Sequence, residues 1–219
     1  MEDNIDTILL NKTTTFLYND KPSSWLPSLV TACTVSTYAF WAMFVFPGFR
    51  KVPVKLRVPF LPSSKCQTTN VLKLLKGREG KFVDLGSGDG RLVFTAVSLG
   101  LQCTGYELNP VLLNWAKTLA RWRGLSPTQA TFLKQNFWEV DLSQYNNVTV
   151  FLAPCVMETL EKKLLAELSE GARVIVCRFP FPHWPPTCTE GVGLNQVWAY
   201  DVMHLNGSLL HYRKLQPCT

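Results

Sequence analysis

Val83-Asp84-Leu85-Gly86-Ser87-Gly88-Asp89-Gly90-Arg91 is the segment of this 219-residue chain from which its architecture can be read. An apolar run enters a glycine-rich turn, and apolar residues resume after Arg91 with the spacing of a helix. About twenty residues on, Gly105-Tyr106-Glu107 ends a second apolar run on an acid. A strand, a glycine turn, a helix and a second strand ending in a carboxylate make a nucleotide-binding unit. Glycines let the backbone take φ > 0 and approach a ligand closely, and the helix N-terminus behind them has unpaired N–H groups. Glu107 is positioned to accept hydrogen bonds from both hydroxyls of a ribose.

Two cofactor classes share this grammar, and the spacing separates them. A dinucleotide site takes G-x-G-x-x-G around a pyrophosphate, which an acid inside the loop would repel. Here the glycines run Gly86, Gly88 and Gly90, with Asp84 before them and Ser87 and Asp89 between them. Carboxylates suit a cofactor carrying a sulfonium and an ammonium, which is S-adenosyl-L-methionine. The competing readings are a nicotinamide site and a plain strand-to-helix turn.

Moving away from this loop in both directions, strands and helices alternate. Ser63 or Ser64 caps a helix reaching about Lys76, and strands are expected at Lys81–Leu85, Cys103–Glu107, Ala130–Gln135, Val148–Leu152 and Ala172–Cys177. Helices fall between them, at Arg91–Leu99, Pro110–Arg123 and Val156–Leu168. The last stretch breaks the rhythm: Gln196–Val202 and Leu209–Arg213 flank Asn206-Gly207, a hairpin signal. The expected fold is a Rossmann-like doubly wound α/β sheet finished by a C-terminal antiparallel hairpin, the class I S-adenosylmethionine-dependent methyltransferase architecture.

Ligands in such sheets sit at the carboxyl ends of the strands. The cofactor-binding candidates are therefore Asp84, Gly86, Ser87, Gly88, Asp89, Gly90 and Glu107, with Asn136 to bond an adenine and Phe137 to cover its face. Strand four ends in Phe151-Leu152-Ala153-Pro154, and strand five in Arg178-Phe179-Pro180-Phe181-Pro182-His183-Trp184. Pro154, Phe179 and Trp184 are the candidates to face the transferred methyl. Aromatic rings there either line a channel for an amine substrate or close the core as a stiff apolar loop.

Ser23 to Phe49 contains no charged residue, and residues 26–47 are mostly apolar and aromatic. That length is close to the roughly 20 residues needed to cross about 30 Å of hydrocarbon. Arg50, Lys51, Lys55 and Arg57 follow at once, which predicts a transmembrane or import segment with the downstream domain on the cytoplasm-like side. The alternative is an apolar helix packed on the domain. The expected organisation is an acidic segment over 1–25, the apolar segment over 26–47, a proline-rich linker over 48–62 and the catalytic domain over 63–219. Residues 1–49 carry a net charge of −2 within a total of +6, so the remainder is strongly basic. Basic charge favours an anionic surface or partner. Without an RNA-binding motif or a long basic run, nucleic acid is not an expected partner. Seven cysteines without a C-x-x-C pair suggest a reducing compartment, and no His/Cys/acid cluster has metal-ligand spacing, so no metal is expected.

VDLGSGDGR, GYELNP, FLAP, ARVIVCRFPFPHW and VWAYD, in that order behind one apolar segment, resemble the mitochondrial membrane-anchored lysine methyltransferases that act on the ATP synthase c subunit and on the adenine nucleotide translocase. The resemblance runs from about Val58 to Asp201. It implies attachment to the mitochondrial inner membrane, a matrix-facing catalytic domain and methyl transfer from S-adenosylmethionine to a lysine ε-amine. One departure is Asn136-Phe137-Trp138, where the family pattern has Asp-Leu-Trp. The long N-terminal extension and CRFPFPHW favour the ATP synthase protein as substrate, and FLAP favours the translocase. A membrane-bound methyltransferase for a lipid or quinone precursor, a cofactor-binding adaptor and a nicotinamide-linked reductase are the rival readings.

Overall fold

The computed structural model describes residues 25–40 and 63–203, in two compact units of residues 1–47 and 48–219. In the first unit, α1 spans Trp25–Phe40 and contains no charged residue. Its side chains are exposed, Trp25 at 59% and Tyr38 at 70%. Thr31, Thr34 and Thr37 donate their hydroxyls to the carbonyls of Pro27, Val30 and Cys33, one turn back, at 2.7–2.8 Å. These bonds hide the polar atoms that otherwise weaken the apolar character of the segment. Sixteen residues reach about 24 Å at 1.5 Å each. No helix among the described residues is long and apolar enough to cross a membrane. The expected spanning segment continues over 41–47, outside the described residues.

The second unit is built on a seven-stranded sheet of order β3-β2-β1-β4-β5-β7-β6. Its strands are β1 (Lys81–Leu85), β2 (Gln102–Tyr106), β3 (Ala130–Leu133), β4 (Asn147–Val150), β5 (Arg173–Cys177), β6 (Cys188–Glu190) and β7 (Val197–Asp201). The helices are α2 (Lys65–Leu75), α3 (Arg91–Val97), α4 (Pro110–Trp122) and α5 (Pro154–Glu167). Strands β1 to β5 pair in parallel, and β7 runs antiparallel between β5 and β6. The expected parallel strands and antiparallel finish therefore form, with one correction. Strand β7 takes its hairpin partner from upstream, at Cys188–Glu190, and Leu209–Arg213 lies outside the described residues.

Alternation along each strand divides the core. Phe82, Ile175 and Cys177 face the side covered by α2, α3 and α4, with Leu75, Val93 and Leu113. Val83, Val148 and Val176 face α5 and pack on Met157, Leu160 and Leu164. Local chemistry starts and stops the helices. Ser64 and Gln67 form a reciprocal capping box on α2, while Asn109 caps α4 and Pro110 opens it. Arg173 and Asp201, opposite each other in the β5–β7 register, join through two charge-assisted hydrogen bonds of 2.7 and 2.8 Å. Cys33, Cys66, Cys103, Cys155 and Cys177 are free thiols, whereas Cys188 is disulfide-bonded, against the expectation of reduced cysteines.

Candidate active site

Three strand ends converge on the glycine loop. Gly86 and Ser87 both donate their backbone N–H to the Tyr106 carbonyl at 2.9 Å, so the loop continues the β1–β2 pairing before turning. Gly90 has φ +83, and a Cβ there would lie 2.8 Å from Phe132 Cζ. Opposite it, a Cβ on Gly105 would lie 2.6 Å from Ser87 Oγ. Both positions require glycine for space, and Gly90 also for its left-handed backbone.

Glu107 ties the strand ends together. Its Oε2 accepts the Gly88 N–H at 2.8 Å and its Oε1 accepts the Asn109 N–H at 2.7 Å. Each oxygen retains acceptor capacity, so the bonds to ribose hydroxyls expected from the sequence remain open to it. Burial raises the Glu107 pKa, and the backbone hydrogen bonds oppose that rise. Asp84 is buried at the end of β1, where it accepts a hydrogen bond from Thr149 Oγ1 at 2.8 Å. Burial raises its pKa to about 7, with the Thr149 bond working against it and the charges of Glu107 and Asp89 adding to the rise. No ion pair to Asp84 forms among the described residues, so burial is not offset by a cation there.

Asp89 departs from expectation. Arg91 grips both of its oxygens from Nε at 3.1 Å and adds a bond from Nη2 at 2.5 Å. The same guanidinium reaches the Ser63 carbonyl through Nη1, which fastens the loop to the start of α2. Asp89 thus shapes the loop and does not offer a free carboxylate to a ligand.

At the end of β3, Asn136 is half-buried, accepts the Trp138 N–H at 3.3 Å and donates to Glu139 at 2.7 Å. Phe137 is drawn into the core beside Tyr106 and Leu142, so its ring is not free to cover an adenine. Pro154 is exposed at the first turn of α5, and Phe179 is half-buried after β5. Trp184, expected to line a channel, is 7% exposed and stacks on Phe181 at 5.6 Å and against Tyr200 at 5.3 Å. Tyr200 accepts the Phe181 N–H at 3.0 Å, which fixes that loop on the sheet. The core reading therefore holds for Trp184.

Asn109 and Trp138, which the sequence did not single out, complete the site together with Ser87, which it did. Ser87 Oγ, Asn109 Nδ2 and Trp138 Nε1 are buried without a hydrogen-bond partner, beside the ends of β1, β2 and β3 respectively. Buried polar atoms of this kind are rare, and orphans beside neighbouring strand ends mark a place where a polar ligand completes the bonding. S-adenosylmethionine fits these residues: Asp84 lacks a cation, Glu107 keeps lone pairs for a ribose, and the orphaned groups offer hydrogen bonds to its polar atoms.

Residues 84–188 match the ANTKMT methyltransferase domain and residues 19–53 the ANTKMT N-terminal domain. The chain is 49% identical to the adenine nucleotide translocase lysine N-methyltransferase of Mus musculus over 77% of its length and 73% of that protein's. It is 44% identical to the ATP synthase c-subunit lysine N-methyltransferase of Homo sapiens over 90% of its length and 82% of that protein's. Among solved structures, an RNA methyltransferase from Salinibacter ruber in complex with S-adenosyl-L-homocysteine superposes with a TM-score of 0.61 at 26% identity, over 69% of this chain and 100% of that one.

Proposed function

Since the chain belongs to the family of lysine N-methyltransferases that act on the adenine nucleotide translocase and the ATP synthase c subunit, we propose that it methylates a lysine of the ATP synthase protein. The chain is an S-adenosylmethionine-dependent protein-lysine N-methyltransferase. The choice of the ATP synthase substrate is carried by the reach of the similarity. The match to the human ATP synthase-directed enzyme extends over 200 residues, against 169 for the mouse translocase enzyme. The higher identity across that shorter span favours the translocase as the second reading.

When bound, S-adenosylmethionine supplies an electrophilic methyl group on a sulfonium. The chain supplies placement. Asp84 and Glu107 hold the donor by charge and hydrogen bonds, and neither needs to carry a proton. A lysine ε-amine has an ordinary pKa near 10.4 and must be neutral to attack. Half-buried Phe151, Leu152 and Phe179 beside the ends of β4 and β5 provide the apolar surroundings that disfavour its ammonium form. Holding the reacting groups in line is worth about 7–11 kcal/mol and requires no covalent enzyme intermediate.

The proposal includes attachment to the mitochondrial inner membrane with the catalytic unit in the matrix. Its support is the uncharged stretch 23–49, followed by Arg50 and Lys51, together with the inner-membrane substrates that the family resemblance implies.

The test is to incubate the full-length chain and methyl-labelled S-adenosylmethionine with mitochondrial membranes, using Asp84→Ala as control. Label on a lysine of a very small hydrophobic protein, absent from the control, is the expected result. Label on a distinctly larger carrier selects the translocase. Label only in the lipid phase overturns the protein substrate in favour of a lipid or quinone.

A further inference from the structure

The outward face of α4 is an anomaly that methyl transfer does not explain. Leu113, Ala116 and Ala120 turn into the core, whereas Trp115 is 53% exposed and Trp122 74% exposed. The two tryptophans are seven residues apart, so they lie within about 20° of each other around the helix and about 10.5 Å apart along it. Large aromatic side chains side by side in solvent mark an interaction surface. Lys117 and Arg121 lie on the same helix, and Arg123 follows it with its guanidinium 4.3 Å above the Phe94 ring. Leu119, Arg123 and Phe94 also line a groove of about 740 Å³, together with Leu72 and Lys65 of α2. From Leu108 to Trp138 the sequence contains Lys117, Arg121, Arg123 and Lys134 and no acid.

We infer that this face of α4 docks on the surface of an anionic phospholipid bilayer, with Trp115 and Trp122 in the interface and the exposed Arg121 and Arg123, which flank Trp122 on either side, against the headgroups. Tryptophan belongs at that boundary because it pairs an apolar ring with an N–H donor, and flanking cations add attraction to anionic lipid. A second copy is a poor occupant. A symmetric interface would set this acid-free basic face against itself, and like charges would meet. The other unit of the chain exposes α1, an uncharged apolar helix, so the same molecule carries two features suited to lipid. The inference deepens the reading of a membrane-embedded substrate and does not depend on which lysine is methylated.

The test uses the full-length chain on phosphatidylcholine vesicles with and without phosphatidylserine, with neither cofactor nor protein substrate present. Tryptophan fluorescence of the wild type minus that of Trp115→Phe/Trp122→Phe isolates the two side chains. On anionic vesicles this difference signal is expected to lose its quenching by aqueous acrylamide and to gain quenching by brominated acyl chains. Charge reversal by Arg121→Glu/Arg123→Glu abolishes the shielding while the chain stays bound through its other unit. A difference signal open to acrylamide on both vesicle types overturns the inference, as does shielding that develops without lipid as protein concentration rises. Equal shielding on phosphatidylcholine alone overturns the anionic requirement. Failure here leaves the labelling experiment above untouched, and failure of that experiment leaves this one untouched.

Discussion

Asp84 illustrates how a binding residue trades stability for function. Its carboxyl titrates near 7 in the fold because burial opposes charge there, against 3.8 in the unfolded chain. The folded state therefore holds the proton more tightly. Asp84 contributes nothing unfavourable below pH 4, and its cost to stability grows as pH rises from there to about 7. One pKa unit is worth about 1.4 kcal/mol, so the cost above pH 7 is on the order of 4 kcal/mol. Asp84→Asn should stabilise the cofactor-free chain at pH 8 and leave it unchanged at pH 4, as read by urea denaturation at the two values. A cation beside the carboxylate reverses the balance. Affinity for S-adenosylmethionine should rise with pH through 7 in a calorimetric titration, and Asp84→Asn should bind weakly without that rise. Glu107 makes the complementary case, since both of its oxygens accept backbone N–H groups. In Glu107→Gln an amide NH2 faces one of those donors, which costs about 1–3 kcal/mol of stability in the absence of any ligand. A variant that loses only cofactor affinity would show that the two backbone bonds find other acceptors. The sequence exposed both acids through their spacing from the glycines. It did not expose Thr149, Asn109 or the grip of Arg91 on Asp89, which depend on cross-strand register and loop path.

Among the elements, the buried parallel strands were readable because both of their faces meet helices or loops and the residues form short apolar runs. Strand β6 was not. Its three residues, Cys188–Glu190, sit at the sheet edge with one side chain buried, one exposed and one between, too little pattern to register. An Asn-Gly pair further on drew the hairpin downstream instead. The loop after β5 was ambiguous for a different reason: a ring lining a channel and a ring closing a core have the same sequence. The structure separates them by depth, with Trp184 packed on Phe181 and Tyr200, and Phe179 half-buried beside Arg178. Trp184→Ala should therefore cost about 3–5 kcal/mol of unfolding free energy, the usual loss for truncating a buried aromatic ring. Phe179→Ala should lose less stability and lower kcat more than cofactor affinity, because its ring borders the strand end where the amine must sit. Denaturation midpoints and single-turnover rates for the two variants decide the matter. Native stability with slow turnover in Trp184→Ala would return that ring to the substrate channel.

On the proposed reading of the molecule as a whole, the two units divide the work of finding a membrane substrate. The uncharged stretch after Ser23 was visible in the sequence by its length and by the cations that end it, whereas the α4 surface was not. Trp115 and Trp122 sit in a helix that buries Leu113, Ala116 and Ala120, and only the three-dimensional burial shows that their face has no partner among the described residues. The two attachments differ in physics and so in the treatments that break them. Apolar insertion, proposed for the N-terminal unit, would resist alkaline carbonate and salt, while the attraction proposed between α4 and anionic lipid would be screened as the Debye length falls from about 10 Å at 0.1 M to 3 Å at 1 M. Removal of residues 1–47 should leave a chain that binds S-adenosylmethionine and is extracted from membranes by carbonate. On anionic vesicles in low salt the truncated chain should still sediment, and it should be released as salt is added. Arg121→Glu/Arg123→Glu in the truncated chain should abolish even the low-salt binding. A truncated chain that resists carbonate would place a second insertion element in the catalytic unit, and a full-length chain released by carbonate would show that the N-terminal unit does not insert.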